Sequence, residues 1–324
     1  MNLIAPIFNP AAFQGWGKKR SYFEGWYFKV INAPETKAYA FIPGIAIDEA
    51  GHRQAFIQVL DGKKRLSRYH EFEIGSFVPS SGVFAIALGE SRFSTNSIEL
   101  ELPGIKGTLR FNNTVSWPSH WFSPGIMGPY AFVPFMECYH GIVSMDHSIS
   151  GSLELEGEIV DFENGRGYSE KDWGSSFPKA YVWMQSNHFS APGISLKASI
   201  AKIPWIGSSF TGFIAGLWLR DRLIRFTTYN GSRLRKLVVN GATIDLVLEN
   251  KTHRLEVRAS RDQATSLASP IRGLMEGRIE ESMSSGVEVL LTERKTREEV
   301  FRDCGRNAAV EVAGSIEEIV INPH

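Results

Sequence analysis

Two short segments of the chain set carboxylates directly beside large aromatic rings. The denser is Gly167-Tyr168-Ser169-Glu170-Lys171-Asp172-Trp173-Gly174-Ser175-Ser176-Phe177-Pro178, which runs on through Tyr181, Trp183 and Gln185 to Asn187. A carboxyl of Glu170 or Asp172 enclosed by Tyr168, Trp173 and Phe177 would be shielded from water, which favours the protonated acid and makes a general acid near neutral pH. Ring faces attract cations by roughly 0.5–2 kcal/mol, so the same cage would suit a carbocation made by protonating an alkene. Lys171 supports the alternative, an ordinary ion pair with a packed tryptophan. In an extended segment Tyr181, Trp183, Gln185 and Asn187 share one face, where two amides beside two aromatic surfaces fit a ligand cavity better than a plain core.

The second segment is Phe23-Glu24-Gly25-Trp26-Tyr27-Phe28-Lys29. Strand alternation puts Glu24, Trp26 and Phe28 on one face, which makes Glu24 another candidate acid; the alternative is a carboxylate paired to Lys29 or to a basic loop. In Glu137-Cys138-Tyr139-His140, Glu137 and Tyr139 share a face and His140 takes the other, and both Glu137 and His140 are candidate binding groups. Other chemistries lack their patterns. Gly165-Arg166-Gly167 is not followed by the third glycine of a dinucleotide fingerprint. Ser176-Phe177-Pro178-Lys179 matches S-x-x-K, but Pro178 opposes the helix that motif needs. His140 and His147 are seven apart, on opposite faces of a common strand, so no metal site is expected.

Such side chains need rigid supports, and the sequence supplies strands. From residue 22 onward, short runs rich in Val, Ile, Phe and Tyr are broken by Gly, Pro, Asn or Asp about every ten residues. Strands are predicted at 22–31, 38–47, 53–60, 82–88, 106–115, 138–145, 150–156, 180–189, 194–202, 210–219, 222–228, 242–248, 252–260 and 286–293, with one short helical turn near Arg297–Asp303. The alternation is clearest in Thr252–Arg258, where Leu255 and Val257 face one way and charges the other. At 324 residues the length implies two domains. Tyr22–Phe28 echoes Tyr168–Trp173 at an offset of 146 residues, as two related halves would, and the Gly-rich stretch after Asn164 places the boundary at 1–164 and 165–324. The segment Trp117–Pro134, rich in Pro, Gly and aromatics, reads as a long ordered loop, either functional or a simple lid.

Lys plus Arg and Asp plus Glu both number 35, so no net field draws the chain to polyanions and a nucleic-acid partner is not expected. Cys138 and Cys304 form no C-x-x-C pair. The start, MNLIAPIFNPAAFQG, has no basic segment ahead of an unbroken apolar run, and no stretch reaches the roughly 20 apolar residues of a membrane span. The expectation is a cytoplasmic protein.

FEGWYFKV (Phe23–Val30) together with GYSEKDWGSSFPKAYVWMQSNHF (Gly167–Phe189) resembles the tocopherol cyclases of plants and cyanobacteria. The resemblance runs in the same order through Leu255–Ser260 and Ala308–Gly314. It implies an all-β fold of two lipocalin-like antiparallel β-barrel domains packed together, akin to carotenoid hydratases. It further implies a cofactor-free reaction, in which the prenyl double bond of a prenylated hydroquinone is protonated while the phenol oxygen attacks the tertiary cation to close a chromanol ring. Glu170, Asp172 and Glu24 become the candidate acids. Trp26, Tyr168, Lys171, Trp173, Phe177, Tyr181, Trp183, Gln185, Asn187, Glu137 and His140 become the candidate substrate contacts. The partner is a lipophilic prenylated aromatic or isoprenoid, with peripheral membrane contact for its uptake. Asp172 departs from the E-K-N-W-G signature that the family usually carries, adding a carboxylate. A hydratase or isomerase acting on an isoprenoid, and a non-catalytic carrier, are the competing functions.

Overall fold

The computed structural model describes residues 5–261 and 264–322. Among the described residues it is all-β, with twenty-two strands and one four-residue α-helical turn, Ala5–Phe8. The chain divides into two units, residues 1–177 with Leu267–Arg278, and residues 178–266 with 279–324.

The first sheet holds β1 (Tyr22–Ile31), β2 (Ala38–Ile47), β3 (Arg53–Asp61), β4 (Leu66–Phe72), β5 (Phe77–Pro79), β6 (Ala85–Leu88), β7 (Ser91–Ser94), β8 (Ser97–Leu102), β9 (Ile105–Asn112), β10 (Cys138–Leu155), β11 (Glu158–Asp161) and β12 (Gly165–Gly174). Its order is β4-β3-β2-β1-β12-β10-β9-β8-β7-β6-β5, with β11 beside β10. The predicted boundary near residue 164 is therefore displaced. β12 is hydrogen-bonded between β1 and β10, in the middle of the first sheet, and carries the first unit on to Phe177. The echo between residues 22–28 and 168–173 has the same explanation: the two segments are antiparallel neighbours, not the openings of two halves. Leu267–Arg278 belongs with this unit as well, since Gln58 both donates to and accepts from the backbone of Ala268.

The aromatic load of the sequence fills this sheet's inner face. Phe28 has the rings of Phe84, Phe93 and Phe111 about 6 Å away, at 5.9, 5.9 and 6.0 Å, and aromatic side chains bury about 150–250 Å² apiece. Trp26, on the central strand β1, stacks on Phe84 at 5.3 Å and reaches Phe77 of edge strand β5. The sheet thus curls until an edge meets its middle. The all-β, antiparallel, barrel-like curl expected is present, and its ladder ends at β4 and β5, so hydrogen bonding does not run full circle.

One polar group in this core has a measurable consequence. His147 of β10 lies against Phe111 with ring centroids 4.4 Å apart, and neither ring nitrogen has a hydrogen-bond partner among the described residues. Gly167 opposite must be glycine, because a Cβ there would come within 2.2 Å of the imidazole. Burial, aided by the Arg166 charge, holds the imidazole down at about 3 against an ordinary 6.5. The native ring refuses a proton that the unfolded chain accepts, so its contribution to stability is complete above about 6.5 and is lost as pH falls towards 3. The destabilisation between those pH values, followed by urea unfolding, is expected to shrink in His147→Leu; an unchanged acid limb would refute the neutral, buried ring.

The second sheet holds β13 (Ala180–Ser186), β14 (Ile194–Trp205), β15 (Ser208–Leu219), β16 (Arg222–Thr227), β17 (Arg233–Val239), β18 (Thr243–Glu249), β19 (His253–Ser260), β20 (Thr265–Ile271), β21 (Leu274–Glu293) and β22 (Glu299–Gly314). Its order is β16-β15-β14-β13-β22-β21-β19-β18-β17, with β20 beside β21. Leu255 and Val257 face the core as their alternation predicts. The helical turn expected at Arg297–Asp303 is instead a turn running into β22, whose alternating side chains pair with β21.

Candidate active site

The three central strands of the first sheet, β1, β12 and β10, carry both acid-bearing segments, and their register decides which side chains meet. Trp26 stands opposite Lys171 and Gly141, whereas Tyr27 stands opposite Glu170 and Ile142, and His140 opposite Asp172. Residues directly across a ladder share a face and neighbours in sequence take opposite faces. The candidate residues therefore separate into two groups on the two sides of the same strands.

Glu24, Trp26, Lys171 and Trp173 point into the core side. Lys171 pairs with Glu24 at 2.5 Å, both wholly buried, and its ammonium sits 4.9 Å and 4.6 Å from the ring centres of Trp26 and Trp173. It also donates to the carbonyls of Pro10 and Ala12, while the Tyr22 hydroxyl and the Gln14 amide donate to Glu24. Gly141 lies beneath this crossing, where a Cβ would press within 3.0 Å of Pro10. Burial lowers the Lys171 ammonium to about 8, against the pull of Glu24 in the other direction. The tryptophans thus do hold a cation, as their ring faces favour, but it is the protein's own. Lys171 takes Glu24 as its partner, not Glu170 or Asp172, and Lys29 is on the opposite face of β1 from Glu24.

Tyr168, Glu170, Asp172 and His140 form the other group. Asp172 Oδ1 is bonded to His140 Nδ1, His140 Nε2 lies 3.3 Å from Glu170 Oε2, and the Tyr168 hydroxyl donates to the same oxygen of Glu170. Tyr168 and Glu170 are buried and His140 nearly so. Burial and the adjacent carboxylate push the Tyr168 phenol well above its ordinary value, so it remains a hydrogen-bond donor throughout the physiological range. Asp172 at Nδ1 orients the imidazole so that Nε2 faces Glu170, which sets one ring between two carboxylates. Ligand atoms of His140, Glu170 and Asp172 all lie within 4.8 Å of one another. A divalent cation there would have to displace the hydrogen bonds that these groups already make.

Around this row on the same face are Tyr27, Phe23 and the wholly buried Lys29, which stands opposite Tyr168. Phe177 meets Phe23 edge-on at 5.3 Å. Alternation alone sets Tyr27, Phe23 and Lys29 on the face away from Glu24 without making them site candidates, because only the cross-strand register places them beside Glu170 and Tyr168. Glu137 precedes β10, where its carbonyl accepts from the amides of Ser175 and Ser176.

Tyr181, Trp183 and Gln185 belong to the second unit, on β13, where they alternate with the core residues Val182 and Met184. Tyr181 donates to Glu311 at 3.0 Å, and Asn187 lies beside His188. Gln185 faces Lys197 across the ladder, and both are wholly buried, so this face of β13 and β14 is polar without being wet.

A family model described as tocopherol cyclase-like matches residues 108–314. A chloroplastic tocopherol cyclase of Zea mays is 29% identical over 199 residues, covering 58% of this chain and 41% of that protein. A probable chloroplastic tocopherol cyclase of Oryza sativa subsp. japonica is 30% identical over 313 residues, covering 78% of this chain. The chain spans 66% of the length of the rice protein. Among solved structures, CghA with Sch210972 aligns with a TM-score of 0.56 at 12% identity over 91% of this chain and 89% of that one. A putative AttH from Nitrosomonas europaea aligns with a TM-score of 0.55 at 14% identity over 90% and 92%. These two share the fold.

Proposed function

The chain belongs to the tocopherol cyclase-like family, and from that premise we propose that it closes a ring on a prenylated hydroquinone, or a similar lipophilic alkene, by proton transfer from the Tyr168, Glu170, His140 and Asp172 row. The observation that carries this reading is the contact of one imidazole with two carboxylates, Asp172 at Nδ1 and Glu170 at Nε2, on a single face of β12 and β10.

In the proposed reaction, Glu170 is the donor. Its proton forms a new C–H bond at the less substituted alkene carbon and leaves a tertiary cation at the other. The phenol oxygen bonds to that cation, and the phenol's proton returns to the row, so the product is an isomer of the substrate and the protein ends as it began. Asp172 and His140 recharge Glu170, and Tyr168 holds the accepting oxygen of Glu170 in place. Tyr27, Phe23 and Phe177 supply ring surfaces on the acid-bearing side. Trp26 and Trp173 are assigned to Lys171 instead, because they flank its ammonium on the opposite side of the strands.

Incubation of the purified chain with a panel of prenylated hydroquinones in deuterated buffer is the test. One deuterium per product, on the carbon that was the protonated alkene terminus, is expected by mass spectrometry and NMR. Chromanol carrying no deuterium at that carbon, or a panel without turnover, would sink the cyclase reading.

A further inference from the structure

The loop between β9 and β10 carries a hydrogen-bonded turn that displays two large aromatic side chains. His120 and Ser123 exchange two backbone hydrogen bonds, at 3.1 and 2.9 Å, closing a two-residue turn with Trp121 and Phe122 at its apex. These two rings are 72% and 79% exposed, and Phe132 and Phe135 of the same loop are 46% and 55% exposed. Phe8 stacks on Trp121 at 5.8 Å and meets Phe132 edge-on at 6.2 Å, joining the N-terminal segment to the cluster. Pro10 of that segment lies beside Gly125 of the loop, 3.4 Å from where a Cβ on that glycine would stand.

Aromatic rings exposed in a group need an account, because single exposed apolar residues are ordinary but a contiguous patch on a closed turn is not. The charges narrow the choice of partner. No Asp or Glu occurs from Leu102 to Met136, nor before Glu24, while Lys18, Lys19 and Arg20 follow the N-terminal segment and are exposed. A loop without carboxylates of its own approaches lipid headgroups with no anion to desolvate there, and Trp and Phe are side chains that settle at the boundary between headgroups and acyl chains. The acids beside Lys18–Arg20 are Asp48 and Glu49, of the turn that Ser21 and Lys19 adjoin. We infer that this cluster, with Trp121 and Phe122 at its tip, is a docking surface for the interfacial region of a lipid bilayer, strengthened by anionic headgroups facing Lys18, Lys19 and Arg20. The inference stands on the loop's geometry and composition and is independent of the chemistry proposed for Glu170.

Vesicle flotation tests it with the full chain. Wild type is expected to float with phosphatidylcholine vesicles, and more completely when phosphatidylglycerol is included, with that increment removed by salt. Trp121→Ala with Phe122→Ala is expected to reduce partitioning by about ten-fold or more, with an unchanged thermal midpoint because both rings are exposed. Trp121→Phe alone should keep most of the wild-type partitioning, and Ile159→Ala, which removes an exposed apolar side chain elsewhere on the same unit, should change nothing. Wild type remaining in the aqueous fraction, or the double variant floating as well as wild type, would overturn the assignment. So would a double substitution that dissociates a dimer in sedimentation velocity without altering flotation, since the patch would then be a self-association surface.

Discussion

Glu170→Gln is expected to lower turnover by about 10²–10⁴-fold while the chain stays folded. Gln keeps the length and shape of the buried side chain, and its carbonyl oxygen still accepts from the Tyr168 hydroxyl. What it loses is the proton. Asp172→Asn should be milder, near ten-fold, an outcome in keeping with general acid–base effects on a group acting through another. Its amide oxygen can still accept from His140 Nδ1, and the step it impairs is the resupply of protons through the imidazole. The pair discriminates between donors. If Asp172→Asn abolishes turnover and Glu170→Gln does not, the donor is Asp172; if neither changes the rate, the acid is not on this face of the sheet. Single-turnover rates with circular dichroism of each variant would decide, because loss of fold is then visible as such.

A comparable effect, on stability instead of rate, is expected for Lys171→Met, at about 3–5 kcal/mol in urea unfolding. The substitution leaves Glu24 wholly buried, with the Tyr22 hydroxyl and the Gln14 backbone amide left to hold its charge. It also frees the carbonyls of Pro10 and Ala12 from their donor and removes the cation from between Trp26 and Trp173. Replacing both members, as Glu24→Leu with Lys171→Met, should recover most of the loss, since an apolar pair of similar volume avoids the cost of desolvating two ions. Additive losses in the double variant would contradict a coupled pair. The same double variant separates the two groups functionally: a pair confined to the core side should leave the proton-transfer step on the other face measurable once the fold is recovered.

The sequence made the strands legible because a strand's signature is local. Tyr22–Ile31, Ala38–Ile47 and the wet-faced strand at His253–Ser260 lie where alternation and turn residues predict them. Long strands fared less well. β10 runs unbroken through residues 146–149, which read as a gap between two strands, because two register shifts between Ile142 and His147 absorb the irregularity without ending the ladder. The expected helical turn at Arg297–Asp303 failed for a related reason: a charged, apolar-poor stretch looks like a turn until a partner strand supplies its hydrogen bonds.

The candidate site was legible as a set of residue types and was not legible as a set of neighbours. Sequence alone establishes an all-β chain, two segments in which carboxylates alternate with aromatic rings, and the family to which those segments belong. The cage of Trp173 about Glu170 or Asp172 does not form, because residues 165–174, absent from the predicted strands, are the strand β12, which turns Trp173 to the face opposite both acids. Sequence contains no information on which strand lies beside which, however, and a one-residue change of register exchanges every side chain between the two faces of a sheet. Only the tertiary structure decided that the two segments are adjacent strands, that Lys171 neutralises Glu24, and that a histidine 30 residues upstream of Glu170 is the group between the two acids. Those choices rest on the packing of Trp26, Phe28 and their ring partners, which pins β1, β12 and β10 in one register and leaves the acids and the ion pair on opposite sides.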